Sequence, residues 1–289
     1  MTIQQKIKEL SQKLNSALEA ELILSLSLKI SREKLITKFN KILTSREEKN
    51  INQLLKQRLS GKPLAYLSGE KSFYHLDFFV NHHTLIPRPE SELIIDQVLL
   101  NLKKVDDEKK KIIIDLGTGS ACLIITLAHL LQHKKNYSFW GVDISHQALK
   151  IAKKNTKRHQ MDKVIKLCLG NLLDPLSNLI NKTKNTQLII LANLPYLTKE
   201  EMKNSPSIKA EPRLALDGGL EGLEIYQDLW KKISHFPLNN NKWTVYQEIN
   251  PHQKNLLLKI IKEKLVSTSH KNEVIKDLSQ QDRLIITSF

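Results

Sequence analysis

Four consecutive residues offer the most specific chemistry in the chain. Asn193-Leu194-Pro195-Tyr196 presents an amide side chain, a backbone carbonyl held by the following proline, and an aromatic face. That set suits a planar group bearing NH2, because the Asn193 oxygen and the Leu194 carbonyl can accept its two protons while the Tyr196 ring flanks its plane. The tetrapeptide follows the apolar run Gln187 to Ala192, which reads as a buried strand. It therefore stands where a strand gives way to a loop, and open α/β sheets bind their ligands outside such carboxyl ends.

A second group lies at Asp115-Leu116-Gly117-Thr118-Gly119-Ser120-Ala121. Glycines at a strand-to-helix turn let the backbone pass close to a ligand. A dinucleotide loop would require a third glycine where Cys122 stands, so the pyrophosphate fingerprint fails and a more compact ligand is implied. The next strand ends in Gly141-Val142-Asp143. A carboxylate there can accept from both hydroxyls of a ribose, each charge-assisted bond contributing roughly 1.5 to 3 kcal/mol. The plainer alternative is that Asp143 caps the helix beginning near Ser145, but the glycine loop one strand earlier favours the ribose. At the end of the third strand, Gly170-Asn171-Leu172 places Asn171 to address an adenine edge and Leu172 to lie against its ring.

The elements that must position these groups alternate. Strands are expected at Lys111–Leu116, Ser138–Asp143, Val164–Leu169 and Gln187–Ala192, with helices reaching His133 and Arg158 between the first three. Such alternation implies parallel strands joined by crossover helices, an α/β fold with a Rossmann-like doubly wound sheet. A helix over 222–235, a strand over 242–249, a helix over 251–264 and an antiparallel pair, Glu273–Leu278 with Arg283–Ser288, complete it. Ile86-Pro87-Arg88-Pro89-Glu90-Ser91-Glu92 reads as a rigid turn opening a helix to about Lys104, with Pro89 in the first turn and the two acids at the positive end of the dipole. That structural account is sufficient by itself; the less favoured alternative is that Arg88 reaches an anionic cofactor group. Upstream, an apolar helical period runs from residue 3 to 28, a second helix from Ser31 to Leu43, and a third from Ser45, capped through Glu48, to Gly61. The expected domains are a helical unit at 1–71, a hairpin linker at 72–86 and an α/β domain at 87–289.

Composition narrows the partners. The 289 residues carry 45 Lys and Arg against 30 Asp and Glu, a net charge of +15. The excess is spread along the chain and fits compositional drift as readily as a polyanionic partner. Cys122 and Cys168 sit in apolar segments without metal-ligand spacing and read as reduced thiols of a cytoplasmic protein, with no metal site. Glu9, Glu19 and Glu21 do not fit a signal peptide. The longest apolar stretch, Cys122 to Leu131, is interrupted by His129 and falls far short of the ~20 residues of a spanning helix, so no membrane role is expected.

Taken together, the glycine loop, Asp143, Ile86-Pro87-Arg88-Pro89-Glu90, the tetrapeptide, Glu211-Pro212-Arg213-Leu214-Ala215-Leu216 and Glu248-Ile249-Asn250 resemble a HemK-like release-factor glutamine methyltransferase, a class I S-adenosylmethionine-dependent enzyme. The resemblance covers nearly the whole chain. It implies S-adenosyl-L-methionine bound by Gly117, Thr118, Gly119, Ser120, Ala121, Asp143, Leu172 and Asn193, to which the strand-end reading adds Asn171. It also implies that Asn193, Leu194, Pro195 and Tyr196 bind and methylate the glutamine of the Gly-Gly-Gln loop of class 1 peptide chain release factors. The helical unit would dock that protein, and the enzyme is expected to be a monomer. Three positions depart from the family's pattern: Ala121 where Gly is usual, Leu194 where Pro is usual, and Asn171 where an acid is usual.

An amide nitrogen is a poor nucleophile, so the two acceptors at Asn193 and Leu194 would have to aim it and stabilise the positive charge it develops. Adenine presents an equivalent planar NH2, which makes a nucleic-acid adenine methyltransferase the alternative substrate class. Against it stands the lack of a target-recognition domain, basic tail or aromatic-basic patch, so nucleic acid is expected as a partner only indirectly. A non-catalytic cofactor-binding protein is the third reading, permitted by Ala121 and Leu194.

Overall fold

The computed structural model describes residues 1–103, 108–266 and 268–289, which divide into two compact units. One comprises Met1–Glu70 with Pro206–Ala210, the other Lys71–Ser205 with Glu211–Phe289.

The first unit contains α1 (Ile3–Leu14), α2 (Ala17–Leu28), α3 (Arg32–Ile36), α4 (Ser45–Leu59) and α5 (Leu64–Ser68). Ile3, Leu10, Ile23, Leu24, Leu35 and Ile51 are among the side chains of its own closed core. The continuous helix expected over 3–28 is two helices. Asn15 turns left-handed at φ 51° to end α1, and the Ser16 hydroxyl accepts from Glu19 N to start α2. The helix expected from Ser31 to Leu43 closes after five residues, because the following chain doubles back and Phe39 O and Lys41 O accept from Gln4 N and Ile3 N. The cap of α4 is shifted by one residue. Thr44, not Ser45, receives Glu47 N at 3.2 Å, while the Glu47 carboxylate accepts from Thr44 N at 2.8 Å.

The second unit opens with a hairpin, β1 (Glu70–Phe73) and β2 (Leu76–Phe79), followed by α6 (Glu92–Leu102). The expected end of α6 at Lys104 lies outside the described residues. The alternation follows: β3 (Lys111–Leu116), α7 (Cys122–Leu131), β4 (Tyr137–Asp143), α8 (His146–Arg158), β5 (Ile165–Leu169), α9 (Ser177–Lys182) and β6 (Gln187–Ala192). It ends with α10 (Lys199–Asn204), α11 (Glu224–Ser234), β7 (Lys242–Glu248), α12 (Lys254–Lys264), β8 (Lys271–Lys276) and β9 (Asp282–Ser288). The seven strands lie in the order β5-β4-β3-β6-β7-β9-β8, parallel from β5 to β7 and antiparallel at β9. The doubly wound sheet expected from the alternation is therefore present.

β3 and β6 are buried at every position, so both faces of the sheet are covered. Alternate side chains feed two cores: Ile112 and Ile114 pack with Tyr226 and Trp230 of α11, and Ile113 packs with Ile95 of α6 and Ile124 of α7. Register aligns the strand ends, since Leu116 pairs with Val142 on one side and Ala192 on the other, and Asp143 pairs with Leu169. The chain leaves β5 at one edge and returns beside β3 as β6, which makes the gap between β4 and β6 above β3 a topological switch point.

The shifted cap has a measurable consequence. Thr44→Ala is expected to cost about 1 kcal/mol, read as a lower urea midpoint by circular dichroism, and Ser45→Ala much less; the reverse order would restore the cap to Ser45.

Candidate active site

The loop after β3 is built on three left-handed residues, Gly117 (φ 65°), Gly119 (φ 54°) and Ala121 (φ 65°). Thr118 N donates to Val142 O at 2.9 Å and the Thr118 hydroxyl to Asp115 Oδ2 at 2.6 Å, so the loop is pinned from both sides. Asn155 Nδ2 donates to Ser120 O at 2.8 Å. Of the five loop residues, Gly117 and Gly119 line a cavity of about 550 Å3 above the switch point. Thr118, Ser120 and Ala121 are buried and do not line it. The Ala121 methyl is buried in the core shared with α6 and α7, so the left-handed backbone that favours Gly is present there, at a cost of roughly 1–2 kcal/mol for an L-residue, without the methyl entering the cavity.

Asp143 is 8 % exposed and lines the same cavity. Its Oδ2 accepts from Gly119 N and its Oδ1 from Ser145 N, both at 2.8 Å. Each carboxylate oxygen keeps a second acceptor site, so the pair is oriented by backbone and still able to take two hydroxyls. Burial raises its pKa while those backbone donors act against the rise. The helix cap is the Ser145 hydroxyl, which accepts from Ala148 N, and that removes the need for Asp143 in the role. At the end of β5, Asn171 and Leu172 also line the cavity; Asn171 Nδ2 donates to Asp228 Oδ2 at 3.1 Å and Leu172 is buried.

The tetrapeptide closes the opposite wall through Asn193, Leu194 and Pro195. Asn193 Nδ2 donates to Ser91 Oγ at 2.7 Å, and Ser91 Oγ donates to Glu248 Oε2 at 2.6 Å. Among the described residues no donor reaches Asn193 Oδ1. Leu194 is buried beside the glycine loop: a Cβ added at Gly117 would lie 3.3 Å from Leu194 Cδ2. Tyr196 stands behind the cavity, its hydroxyl 3.3 Å from Glu248 Oε1 and its carbonyl accepting from Gln253 Nε2 at 2.8 Å. Burial and the Glu248 carboxylate raise the Tyr196 pKa, which keeps the phenol protonated. The backbone here is wedged by glycine, since a Cβ at Gly218 would fall 2.7 Å from Tyr196 Cα and 2.8 Å from Pro195 O.

Arg88 does not face the cavity. Its guanidinium is paired with the buried Glu211 carboxylate, whose other oxygen accepts from Ile86 N at 3.0 Å. Pro212 to Ala215, which follow Glu211, line the cavity, and so do His83, Thr84 and Leu85. Pro212 to Ala215 and Ser91 were legible in sequence only as parts of motifs, with no role of their own, and His83, Thr84 and Leu85 carried no chemical signal there. Glu248 did carry one, because it ends β7 as Asp143 ends β4.

Residues 107–215 match a methyltransferase domain and residues 2–69 the PrmC N-terminal domain. Among solved structures, the catalytic domain of hMettl16 in complex with MAT2A 3'UTR hairpin 1 superimposes with a TM-score of 0.54 at 16% identity, covering 84% of this chain and 79% of that one, a likeness of fold. The fold and the domain match define an S-adenosylmethionine-dependent methyltransferase with a Rossmann-like sheet. A release factor glutamine methyltransferase from Thermodesulfovibrio yellowstonii is 32% identical over 97% of this chain and 96% of its own length. That of Bacillus cereus is 30% identical over 92% and 90%, and that of Dictyoglomus turgidum 33% identical over 89% and 86%. The chain belongs to the release factor glutamine methyltransferase family.

Asp115, beneath the loop, supplies a pH test. Burial pushes its carboxyl from 3.8 up to about 7, against the Thr118 hydroxyl bond. A raised folded-state pKa contributes stability that is complete below about pH 4 and lost as pH rises through about 7. Asp115→Asn removes that titration, so the stability of the variant relative to wild type is expected to improve as pH rises from about 4 to about 7 and to level off above, in urea unfolding. A difference independent of pH would contradict the assignment.

Proposed function

We propose that this chain transfers the methyl group of S-adenosyl-L-methionine to the side-chain amide nitrogen of the glutamine in the Gly-Gly-Gln loop of class 1 peptide chain release factors. The observation that carries the reading is Asn193: at the switch point, across one cavity from Gly117, Gly119 and Asp143, it keeps Oδ1 free as an acceptor. The family membership supports the same substrate.

The cavity fits the cofactor. Its volume is in the range of small-molecule sites, two glycine backbones form one wall, and Asp143 retains acceptor sites suited to a ribose. Asn171 and Leu172 are assigned to the adenine edge and ring. Thr118, Ser120 and Ala121 shape the loop from behind, through hydrogen bonds and packing. When bound, the cofactor supplies an electrophilic sulfonium methyl. Asn193 Oδ1 and the Leu194 carbonyl would accept the two amide protons of glutamine and orient its nitrogen toward that methyl; as the nitrogen gains the methyl, the S–CH3 bond breaks, the thioether leaves and one of those amide protons passes to solvent. Pro195 fixes the carbonyl's direction, and Tyr196, which does not line the cavity, holds the turn from behind through Glu248 and Gln253 and is not placed to flank the amide. Positioning of this kind supplies on the order of 7 to 11 kcal/mol in favourable cases, and a preorganised dipole roughly 3 kcal/mol more.

In this reading residues 1–71 dock the release factor, residues 72–86 link the two parts and residues 87–289 carry the chemistry in a cytoplasmic monomer. Both cysteines are free, and among the described residues no helix is long and apolar enough to cross a membrane.

Asn193→Ala is expected to lower turnover at least about a hundredfold, with cofactor affinity by calorimetry near wild type. Unchanged turnover would remove Asn193 from the mechanism. Asp143→Asn is expected to weaken cofactor binding about tenfold or more; an unaltered Kd would dismiss the ribose assignment. A radiolabel assay offering release factor, RNA and DNA side by side separates the substrate classes, with label expected on the release factor.

A further inference from the structure

We infer that Ser91 and Glu248 are positioning residues that set the polarity of the Asn193 amide, turning Oδ1 and not the NH2 toward the substrate. The inference rests on the proposed glutamine-methylating role of Asn193. An asparagine amide is nearly symmetric in shape, and rotating it by half a turn exchanges an acceptor for two donors. With Oδ1 forward it accepts from the substrate N–H; with Nδ2 forward, donor faces donor and the glutamine nitrogen is pushed away. Shape alone does not choose between the two.

The choice is made by a chain of buried groups. Ser91 is 2 % exposed and Glu248 1 %. An ionised carboxylate can only accept, so the 2.6 Å contact commits the one Ser91 hydroxyl proton to Glu248 Oε2. The Ser91 oxygen is then left only as an acceptor, and the group 2.7 Å from it must be the Asn193 NH2. Oδ1 is thereby driven to the cavity side. The Tyr196 hydroxyl donates to the second carboxylate oxygen at 3.3 Å, and the Tyr226 hydroxyl lies 2.8 Å from Ala192 O and 2.5 Å from Glu248 O, tying the ends of β6 and β7. Burial raises the Glu248 pKa, with Glu90 adding to the rise and Ser91, Arg283 and Tyr196 acting against it; what makes both carboxylate oxygens acceptors is the geometry, one hydroxyl donor on each. The relay spans 102 residues from Asn193 to Ser91 and 157 from Ser91 to Glu248. Helix capping does not explain Ser91: its side chain makes no cap bond at the start of α6.

Glu248→Gln tests the relay with little change of size. The glutamine NH2 can donate to Ser91, freeing the Ser91 proton for Asn193 Oδ1 and stabilising the wrong orientation. Turnover of release factor is expected to fall about tenfold or more, with the Kd for S-adenosylmethionine, the KM for release factor and the thermal midpoint near wild type. Ser91→Ala is expected to lose kcat likewise, and Ser91→Thr, which keeps the hydroxyl, to recover most of it. Wild-type kcat in either Glu248→Gln or Ser91→Ala, measured beside an active wild type and an inactive Asn193→Ala, would overturn the relay alone. An inactive wild type, or an active Asn193→Ala, would overturn the functional reading and the relay with it. Should Ser91→Ala fail to fold, Glu248→Gln and Ser91→Thr decide.

Discussion

The parallel register of β4, β3 and β6 is the constraint on which the rest depends. Because Leu116, Val142 and Ala192 end side by side, three different loops leave the sheet at one level, and no helix connection can carry a group away from that line. The glycine loop, Asp143 and Asn193 are neighbours for this reason alone, although 76 residues separate Gly117 from Asn193. Continuous apolar strands buried on both faces make the register costly to slip, since a one-residue shift would move every side chain of a strand to the opposite face.

On that scaffold the polar groups are held by one another. The glycine loop is pinned by Asp115 and Asp143 from two strands. The tetrapeptide is pinned from outside its own strand by Ser91 at Asn193 and by Glu248 and Gln253 at Tyr196, and Tyr226 holds Ala192 just before it. In the proposed function, this division is why Leu194 can stand where the resemblance leads one to expect proline. The position makes an apolar contact beside Gly117 and would contribute a carbonyl in the proposed function, and neither requires a ring when Pro195 and the glycines at 218 and 222 already confine the backbone. Ala121 is tolerable for a different reason: its side chain belongs to the core, and only its backbone shapes the loop.

Much of this was legible in the sequence, unevenly. β3 and β6 matched their expected limits because an unbroken apolar run bounded by polar turns admits few other readings. The N-terminal helices were less legible. Thr44 and Ser45 each have an acid three residues on, so the two capping registers are locally equivalent, and the break at Asn15 interrupts no apolar period. In the site, strand-end residues were readable from position. Their supports were less so: Glu248 stands at a strand end, but its link to Asn193 through Ser91 exists only in the fold, and Arg88, a plausible anion ligand by type, is spent on Glu211.

The central claim is that this site delivers a methyl group to one amide nitrogen, and the most direct measurement is where the methyl goes. A class 1 release factor incubated with the chain and S-adenosylmethionine, then digested and read by tandem mass spectrometry, is expected to carry a single added methyl on the side-chain amide of the Gly-Gly-Gln glutamine. An unmodified glutamine in the presence of a folded, cofactor-binding chain, or a methyl found on any other residue, would contradict the account.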